Sequence, residues 1–432
     1  MISLGCSKNL VESERLLKQL EAKGYKTVFE SENPKGAHVV VNTCGFISDA
    51  KEESINTILE LCEKKKRGEI GDIIVMGCLS QRYLDELRKE IPEVDYWFGK
   101  FDWPGIVNML PSLKKQPEVP RAWERKLTTP SHSAYLKISE GCNRFCAFCA
   151  IPGITGRHTS RPMEEILDEV RSLVAMGVKE FNVIAQDLSS YGLDLYGRHS
   201  LAQLIDRMAD IKGVEWIRLH YAYPADFPLD ILDVMASRNN VCKYLDIALQ
   251  HISDKVLTNM RRHISKEETL KLLDTIREKV PGIRIRTTLM TGFPGEGEEE
   301  FEELMEFVRT QRFDRMGAFT YCEEDDTFAA SHLIDDISEE VKQQRLDRLM
   351  ALQQDIAQEL NDKMVGQTVK VLVDRKEGDT AFGRTQYDSP DVDPEVIIKS
   401  CKVSPGEFID VTITEAYPFE LIGTATENGN KI

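Results

Sequence analysis

The chain has 432 residues, of which 41% are hydrophobic, which is enough for about three globular domains with packed cores. Its formal net charge of −17 disfavours nucleic acid as a general partner and favours a basic one, although a local basic groove is compatible with it. The sequence shows no secretory leader and no apolar run near the ~18 residues that cross a bilayer, so we expect a soluble, cytoplasmic protein without membrane association. Ten cysteines in such a chain indicate metal or catalytic ligands rather than disulfides.

Residues 1–120 alternate apolar strands with amphipathic helices. Strands are predicted at 2–4, 38–42 and 72–76, and helical stripes of apolar residues follow the first two. Continuous Val and Ile runs separated by helices predict a parallel sheet. Directly after these three strands come, in order, Cys6, Cys44 and Cys78.

These three cysteines are expected to converge, because the carboxyl ends of parallel strands meet at one edge, where open α/β sheets bind ligands. The alternative is three unrelated buried cysteines, which the repeated placement makes the weaker interpretation. Cys62 lies inside the second predicted helix and is interpreted as a core residue. Residues 99–130 contain five prolines, which predicts a helix followed by a linker and a domain boundary.

The second segment, 131–364, opens with a predicted strand at 134–138 that runs into a C-x3-C-x2-C loop formed by Cys142, Cys146 and Cys149. Three thiols at this spacing suit zinc or an iron–sulfur cluster, and a structural zinc ion would need a fourth ligand that the loop lacks. A 4Fe-4S cluster is normally held by four thiolates, so three would leave one iron open to a substrate or cofactor. A zinc knuckle or three structural cysteines is the alternative interpretation.

Further strand and helix units follow this loop, and they bring the predicted strands of the segment to six. Six strands are fewer than the eight of a closed barrel, so we expect a partial (β/α)6 barrel whose open side can admit a macromolecule. Polar residues at strand ends are candidates for its chemistry, although each could be an ordinary loop residue. They are Gln186, Asp187, His220, Gln250, His251 and Gly292. The acidic run at 296–306 predicts a solvated helix face, and 336–364 predicts a long amphipathic helix.

The third segment, 365–432, changes to short alternating strands, which predicts a small β-barrel of the oligonucleotide-binding (OB) kind. From residue 364 onward the chain holds 7 Lys and Arg against 12 Asp and Glu, a balance of −5. An RNA-binding barrel should be basic, and this one is not.

The C-x3-C-x2-C loop, with Phe148 before its last cysteine, resembles that of the radical S-adenosylmethionine (SAM) enzymes. Together with the three N-terminal cysteines and a barrel that looks like a TRAM domain, nearly the whole chain resembles the radical SAM methylthiotransferases. Within that family, seven sequence motifs resemble those of the branch that modifies an aspartate of the twelfth small-subunit ribosomal protein. They are LGCSKNLVESE, VNTCGFISDAKEES, LKISEGCNRFC, IAQD, YAYP, LQHISDKVL and TGFPGE. Ser7, where proline is common, and Cys322, where serine is usual, are small departures.

The resemblance implies two 4Fe-4S clusters. The first would use Cys6, Cys44 and Cys78 and present a sulfur that accepts a methyl group from one SAM. The second, on the three cysteines of the loop, would cleave another SAM to a radical that removes hydrogen from the aspartate β-carbon, where the methylthio group is installed. The SAM pocket would be lined by Phe148, Gln186, Asp187, Gln250 and Gly292.

The implied organisation is an N-terminal methylthiotransferase domain (1–120), a radical SAM partial barrel (131–364) and a TRAM-like barrel (365–432). The implied partners are a basic ribosomal protein as substrate and a reductant protein such as flavodoxin or ferredoxin, with nucleic acid not expected as a direct substrate. A tRNA adenosine methylthiotransferase is one alternative, and the acidic terminal barrel argues against it. A non-catalytic iron–sulfur or zinc scaffold is another, which SAM cleavage by the reduced protein would exclude.

Overall fold

The computed structural model describes residues 1–31 and 34–426. Its N-terminal part contains, in chain order, β1 (Ile2–Ser3), α1 (Ser7–Ala22), β2 (Val39–Thr43), α2 (Ser48–Lys66), β3 (Ile73–Gly77), α3 (Cys78–Glu90), β4 (Tyr96–Trp97) and α4 (Trp103–Met109). The strands form one parallel sheet in the order β1-β2-β3-β4. The three predicted strands and their parallel arrangement are confirmed, and the short β4 extends the sheet.

The N-terminal sheet is covered by helices on both faces. Every residue of β2 and β3 is buried, as expected for Val- and Ile-rich parallel strands between two helical layers. Ile58 and Cys62 of α2 pack on one face, and Leu16 of α1 and Ile106 of α4 pack on the other. Cys62 is therefore a core residue, as predicted. Residues 110–132 form no helix or strand, in agreement with the predicted linker.

The central part is built on six parallel strands. Its elements are β5 (Ser133–Lys137), β6 (Ser139–Glu140), α5 (Ile151–Thr155), β7 (Thr159–Ser160), α6 (Met163–Ala175), β8 (Glu180–Ile184), α7 (Leu193–Tyr196), α8 (Leu201–Ala209), β9 (Trp216–Ala222), α9 (Asp230–Ser237), β10 (Val241–Ile247), α10 (Asp254–Asn259), α11 (Lys266–Lys279), β11 (Arg284–Thr291), α12 (Glu298–Gln311), β12 (Arg315–Thr320), α13 (Phe328–His332) and α14 (Glu339–Asp362). The sheet order β12-β11-β10-β9-β8-β5 leaves β12 and β5 as edges, which confirms the predicted open barrel.

The main hydrophobic core lies between this sheet and its outer helices, where Phe181 and Val183 of β8 point. The predicted acidic helix is α12, whose Phe301 packs inward. The prediction is wrong for Glu296, which precedes α12 and is only 2% exposed. Its carboxylate pairs with Arg345 of α14, which explains how a charge tolerates this burial. In the described part of the chain, no helix combines the length and apolar character that a membrane span requires.

The terminal part is a closed five-stranded barrel in the order β13-β14-β15-β17-β16. Its strands are β13 (Thr368–Glu377), β14 (Thr380–Thr385), β15 (Glu395–Lys399), β16 (Phe408–Ala416) and β17 (Glu420–Ala425). The predicted small β-barrel is thus confirmed. The sequence did not predict β14 and β17, because Gly383 and Gly423 interrupt their alternation at points where neighbouring strands leave no room for a Cβ.

The loop between β14 and β15 lies across the floor of the central barrel. Arg315 of β12 pairs with Asp388 at 2.6 Å, and Arg286 of β11 pairs with Asp393 at 2.6 Å. Both aspartate side chains are 1% exposed, so these are desolvated contacts rather than surface ion pairs. The terminal barrel therefore closes one end of the central lumen, and the opposite end remains for the cysteine loop.

Candidate active site

The fold brings the three N-terminal cysteines to one edge of the first sheet. Cys6 follows β1 and precedes α1, Cys44 follows β2, and Cys78 is the first residue of α3 after β3. Gly5, at φ +83°, allows the close approach, because a Cβ there would lie 2.6 Å from the Cβ of Cys44. We refer to these three cysteines as the N-terminal triad.

A buried lysine faces the N-terminal triad. Lys100 is 3% exposed, and its ammonium donates to Oδ1 of Asn9 at 3.4 Å. The Cys78 thiol donates to the same oxygen at 3.5 Å. The amide of Asn9 is held in this orientation because its Nδ2 donates to the carbonyls of Leu4 and Thr43. Sequence analysis missed both Lys100 and Asn9, since neither stands in a recognisable spacing to the cysteines.

The electrostatic setting of the N-terminal triad is mixed. Burial raises the pKa of the Cys78 thiol to about 11 and also raises the pKa of Cys44. Loss of hydration also acts on Cys6, but Lys8 and Lys100 outweigh it and hold the pKa of that thiol below its ordinary value. A bound metal centre would displace the protons of such thiols, since thiolates are the ligating form.

The other three cysteines lie on the loop that follows β6, and we refer to Cys142, Cys146 and Cys149 as the central triad. The loop turns at Gly141, whose φ of +75° leaves no space for a side chain against the carbonyl of Arg157. Inside the loop, the backbone N–H of Cys149 donates to the carbonyl of Cys146 at 3.1 Å. Burial raises the pKa of Cys142 to about 12 and raises the pKa of Cys149 as well.

Two arginines and a tyrosine support the central triad. Arg262 donates to the Cys146 sulfur at 3.2 Å. The guanidinium groups of Arg262 and Arg144 lie 4.2 and 4.3 Å from the ring centroid of Tyr223, so the ring makes a cation–π contact with each of them. The Tyr223 hydroxyl donates to the carbonyl of Arg262 at 2.7 Å. Tyr223 belongs to the YAYP stretch, whereas no sequence signal marked Arg262.

The spacing of the thiols bears on which metal they suit. Across residues 1–31 and 34–426, no group of three or more His, Cys, Asp and Glu side chains is placed to hold a single metal ion. A structural zinc ion is normally held by four side chains about 2.0–2.3 Å away, whereas each triad offers three thiols. A four-iron cluster is larger and takes only thiolates here, which fits two triads of cysteines better than a zinc ion does.

Three of the expected SAM-pocket residues are Gln186, Gln250 and Phe148, and the structure shows their individual contacts. The side-chain amide N–H of Gln186 donates a hydrogen bond to the carboxylate of Glu140, while its Oε1 is buried and has no hydrogen-bond partner among the described residues. The Oε1 of Gln250, a residue with φ +72°, is also buried and has no hydrogen-bond partner among the described residues. Phe148 packs edge-on against Phe293 at 6.2 Å between ring centroids. Each of the two buried amide oxygens could accept a hydrogen bond from a ligand.

Asp187 differs from these residues because its carboxylate is already occupied. It accepts from Arg144 Nε at 2.8 Å, from the Ser190 hydroxyl at 2.6 Å and from the backbone N–H of Ser189 at 2.9 Å. Its contacts hold Arg144 against Tyr223 and shape the loop after β8. A contact between Asp187 and SAM stays a prediction.

Gly292 and His251 meet at the buried carboxylate of Glu296. The N–H of Gly292, at φ +73°, donates to Glu296 Oε1 at 2.9 Å, and Nε2 of His251 lies 3.2 Å from Oε2. His251 therefore packs against the buried Glu296, whose carboxylate holds the turn after β11 through the N–H of Gly292. His220 lies within β9 rather than after it, and burial lowers its pKa well below the ordinary value, so it is neutral there.

The two triads adjoin each other. Cys78 packs against Ala150 and Ile154, which follow the central triad in the chain. The ammonium of Lys100 lies 3.9 Å from a carboxylate oxygen of Glu140, the residue that also accepts from Gln186. A continuous set of contacts thus leads from the N-terminal triad to the region of the central triad.

Comparison with known protein families covers all three parts of the chain. Residues 136–308 match the radical SAM superfamily, and residues 1–99 match uncharacterized protein family UPF0004. Residues 365–426 match the TRAM domain. A solved structure of the radical SAM methyltransferase TsrM from Kitasatospora setae, with cobalamin and a [4Fe-4S] cluster bound, aligns with a TM-score of 0.54 at 15% identity over 74% of this chain and 71% of that chain. At that identity the likeness shows the fold alone.

Curated relatives are much more similar. The chain is 61% identical, over 98% of its length and 97% of the relative, to ribosomal protein uS12 methylthiotransferase RimO of Phocaeicola vulgatus. It is 59% identical to the protein of the same name from Bacteroides thetaiotaomicron, over 98% of this chain and 96% of that one. The chain therefore belongs to the RimO family of the radical SAM superfamily.

Proposed function

We propose that this protein is a transferase that installs a methylthio group on the β-carbon of an aspartate in ribosomal protein uS12. The observation that carries the proposal is that Cys78 of the N-terminal triad packs against Ala150 and Ile154, which follow the central triad in the chain. Sulfur delivery and radical chemistry must act on the same substrate atom, so their sites have to adjoin. The similarity to RimO proteins over nearly the full chain supports the substrate assignment.

The cofactors that we propose are SAM and two 4Fe-4S clusters, one on each triad. Three thiolates leave an iron free for a further ligand, in keeping with the donor sets of Cys6, Cys44 and Cys78 and of the central triad. When bound, these groups supply a 5′-deoxyadenosyl radical and a transferable sulfur. An unactivated C–H bond requires such chemistry, because no side-chain base can remove that hydrogen at neutral pH.

The chain itself contributes positioning and exclusion of water. Gln186 and Gln250 each present a buried amide oxygen that can accept from the amino or ribose groups of SAM. Phe148 offers an apolar surface for the adenine. Tyr223, held between its two arginines, covers the Cys146 side of the central triad. These groups restrict a reactive species to the substrate that enters through the open side of the barrel.

Charge favours a basic protein as the substrate. The chain carries −17 and its terminal barrel is acidic, so a basic ribosomal protein would be steered toward it, whereas tRNA would meet net repulsion. Association with uS12 should therefore weaken with added salt. A reductant protein such as flavodoxin or ferredoxin would supply the electron.

A direct competition tests the proposed function. The reduced enzyme with SAM is offered uS12 and unmodified tRNA together, and both are weighed by mass spectrometry. We expect the mass of one methylthio group on the protein, located at an aspartate by fragmentation. A mass gain on tRNA alone would show that the enzyme is a tRNA methylthiotransferase instead.

A further inference from the structure

A groove on the surface of the N-terminal part lies between α2 and α3. Its volume is about 580 Å³, and its floor is formed by the buried side chains of Leu79, Leu87 and Ile91. Ile55 and Leu59 line it from α2, one helical turn apart and therefore on the same face of that helix. Leu59 is 46% exposed, so this apolar face is open to solvent. We refer to it as the α2–α3 groove.

The α2–α3 groove has an acidic rim. Glu52 of α2 and Glu86 and Glu90 of α3 are exposed at its sides, and none of the three makes an ion pair with another residue among 1–31 and 34–426. Lys51 also lines the groove, but Glu324 already pairs with it at 2.8 Å. The free chain does not favour these charges, because Glu86 and Glu90 repel each other across one turn and Glu90 ends α3, where the helix dipole disfavours an anion. Cations from a bound partner would relieve both effects.

The α2–α3 groove extends toward the open side of the central barrel. Asp325, which also lines it, belongs to the segment after β12, an edge strand of the central sheet. The Tyr83 hydroxyl donates to Asp325 at 3.0 Å, from a point where α3 departs from helical geometry with φ −124° and ψ 31°. Because the modified aspartate would enter through that open side, another segment of the same protein could occupy the groove at the same time.

We propose that the α2–α3 groove binds a basic amphipathic helix of the substrate protein, at a segment separate from the modified aspartate. A groove between two helices accepts a third, whose apolar side chains pack on Ile55 and Leu59. Its Lys and Arg side chains pair with the acidic rim, which fixes the orientation of the helix. The choice of partner rests on the proposed function, since a ribosomal protein is basic, whereas the same rim repels an acidic redox protein or an RNA.

Fluorescence anisotropy of labelled uS12 measures its binding to the anaerobically reconstituted full chain without catalysis. We expect the double variant Glu86→Lys and Glu90→Lys to raise the Kd about tenfold, because two attractive contacts become repulsive. Leu59→Asp should also raise it, since it places a carboxylate against the apolar face of the bound helix. The matched control is Glu53→Lys with Asp85→Lys, which makes the same change in net charge at exposed residues outside the groove and should leave the Kd within about twofold of the wild type. Iron content and the thermal midpoint show that each variant is folded.

Cross-linking identifies the bound segment. With the photoreactive residue benzoylphenylalanine in place of Leu59, irradiation should join the chain to a Lys- and Arg-rich helix of uS12 outside the target loop, located by mass spectrometry. Unchanged Kd values in the groove variants, an equal loss in the control, or a cross-link only to the target loop would overturn the inference. If uS12 gains its methylthio group while its Kd ignores the groove, the inference alone fails. If uS12 binds through the groove and gains no methylthio group, the proposed function alone fails.

Discussion

The two cysteine triads reach similar donor sets by different routes. The central triad lies on one loop, between Cys142 and Cys149, so the chain itself brings its three cysteines together, and distant contacts such as the hydrogen bond from the N–H of Ala147 to the carbonyl of Met260 hold the loop in place. The N-terminal triad is assembled from Cys6, Cys44 and Cys78, which only the parallel pairing of β1, β2 and β3 brings together. A local motif carries its own geometry, whereas a distributed one depends on the whole sheet.

The two triads also differ in the charged side chains that surround them. Arginines and an aromatic ring flank the central triad, and the guanidinium of Arg262 donates directly to Cys146. Lysines flank the N-terminal triad, and Lys100 donates to the same Asn9 oxygen as the Cys78 thiol. Arginine suits a fixed, planar set of contacts, while lysine is a compact point charge on a flexible stem. Under the proposed function, radical generation belongs to the central triad and sulfur delivery to the N-terminal one.

Removal of the central triad should have the largest effect. We expect replacement of Cys142, Cys146 and Cys149 together by alanine to abolish 5′-deoxyadenosine formation and methylthio transfer, because the radical requires the cluster proposed there. Liquid chromatography of quenched reactions measures the first product, and mass spectrometry of uS12 measures the second. Residual SAM cleavage at the wild-type rate would contradict the division of roles.

Removal of one N-terminal ligand should separate the two activities. Cys44→Ala is expected to keep SAM cleavage within a few-fold of the wild type and to lose methylthio transfer, since only sulfur delivery uses that triad. Cys62→Ala, at a core cysteine of α2, is the matched control and should keep both activities. Methylthiolation by Cys44→Ala over several turnovers would remove the proposed role of the N-terminal triad.

The central triad was easier to predict from sequence than the N-terminal triad, because its three cysteines are close together in the chain. The C-x3-C-x2-C spacing is local, so its loop could be recognised directly, while the convergence of Cys6, Cys44 and Cys78 had to be inferred from the order of Val- and Ile-rich strands. Lys100 and Arg262 escaped prediction because their partners, Asn9 and Cys146, are distant in sequence and meet them only through tertiary packing.

Fold prediction failed where side-chain patterns were weak or ambiguous. β14 and β17 were missed because glycines replace the alternating apolar residues at crowded positions. Glu296 was assigned to a solvated face because it begins an acidic run, although Arg345 and His251, both far along the chain, pair with it in the interior. Helical spacing shows which residues share a face, but it does not reveal a distant counter-charge.

The arginine support of the central triad should have a smaller effect than loss of a ligand. Arg262→Gln removes the donor to Cys146 and one of the two cations on Tyr223, so we expect SAM cleavage to slow about tenfold, the scale of one charge-assisted hydrogen bond. The reduction midpoint of the central cluster should fall, because a positive group has left its thiolate. Arg261→Gln, at an exposed neighbour, is the control. An unchanged midpoint would show that Arg262 only packs.

The smallest effect on activity at neutral pH is expected for Glu12 of α1, which ties the N-terminal part to β5 through its ion pair with Lys137. Burial acts to raise the pKa of this carboxyl, but Lys137 and Arg15 outweigh it and lower the pKa to about 2 from an ordinary 4.5. The pairing therefore stabilises the fold above pH 4.5, and the stabilisation is lost as the pH falls toward 2.

Urea unfolding of Glu12→Gln checks this contact. At neutral pH the variant should lose about 2 kcal/mol, the scale of one charged hydrogen bond, because Lys137 keeps its second carboxylate partner, Glu140, at 2.7 Å. The difference from the wild type should shrink as the pH is lowered through the acidic range, since the wild-type carboxyl then becomes neutral too. Glu53→Gln, on the exposed face of α2, serves as the control. A difference that does not depend on pH would contradict the ion-pair explanation.

The measurement that tests the account most directly is the iron and sulfide content of the anaerobically reconstituted chain. Two triads that each hold a 4Fe-4S cluster should bind about eight irons and eight sulfides per chain. The variant with alanine at Cys142, Cys146 and Cys149 should retain about four of each. A wild type that never exceeds about four irons, or a variant that keeps its full content, would contradict the assignment of one cluster to each triad.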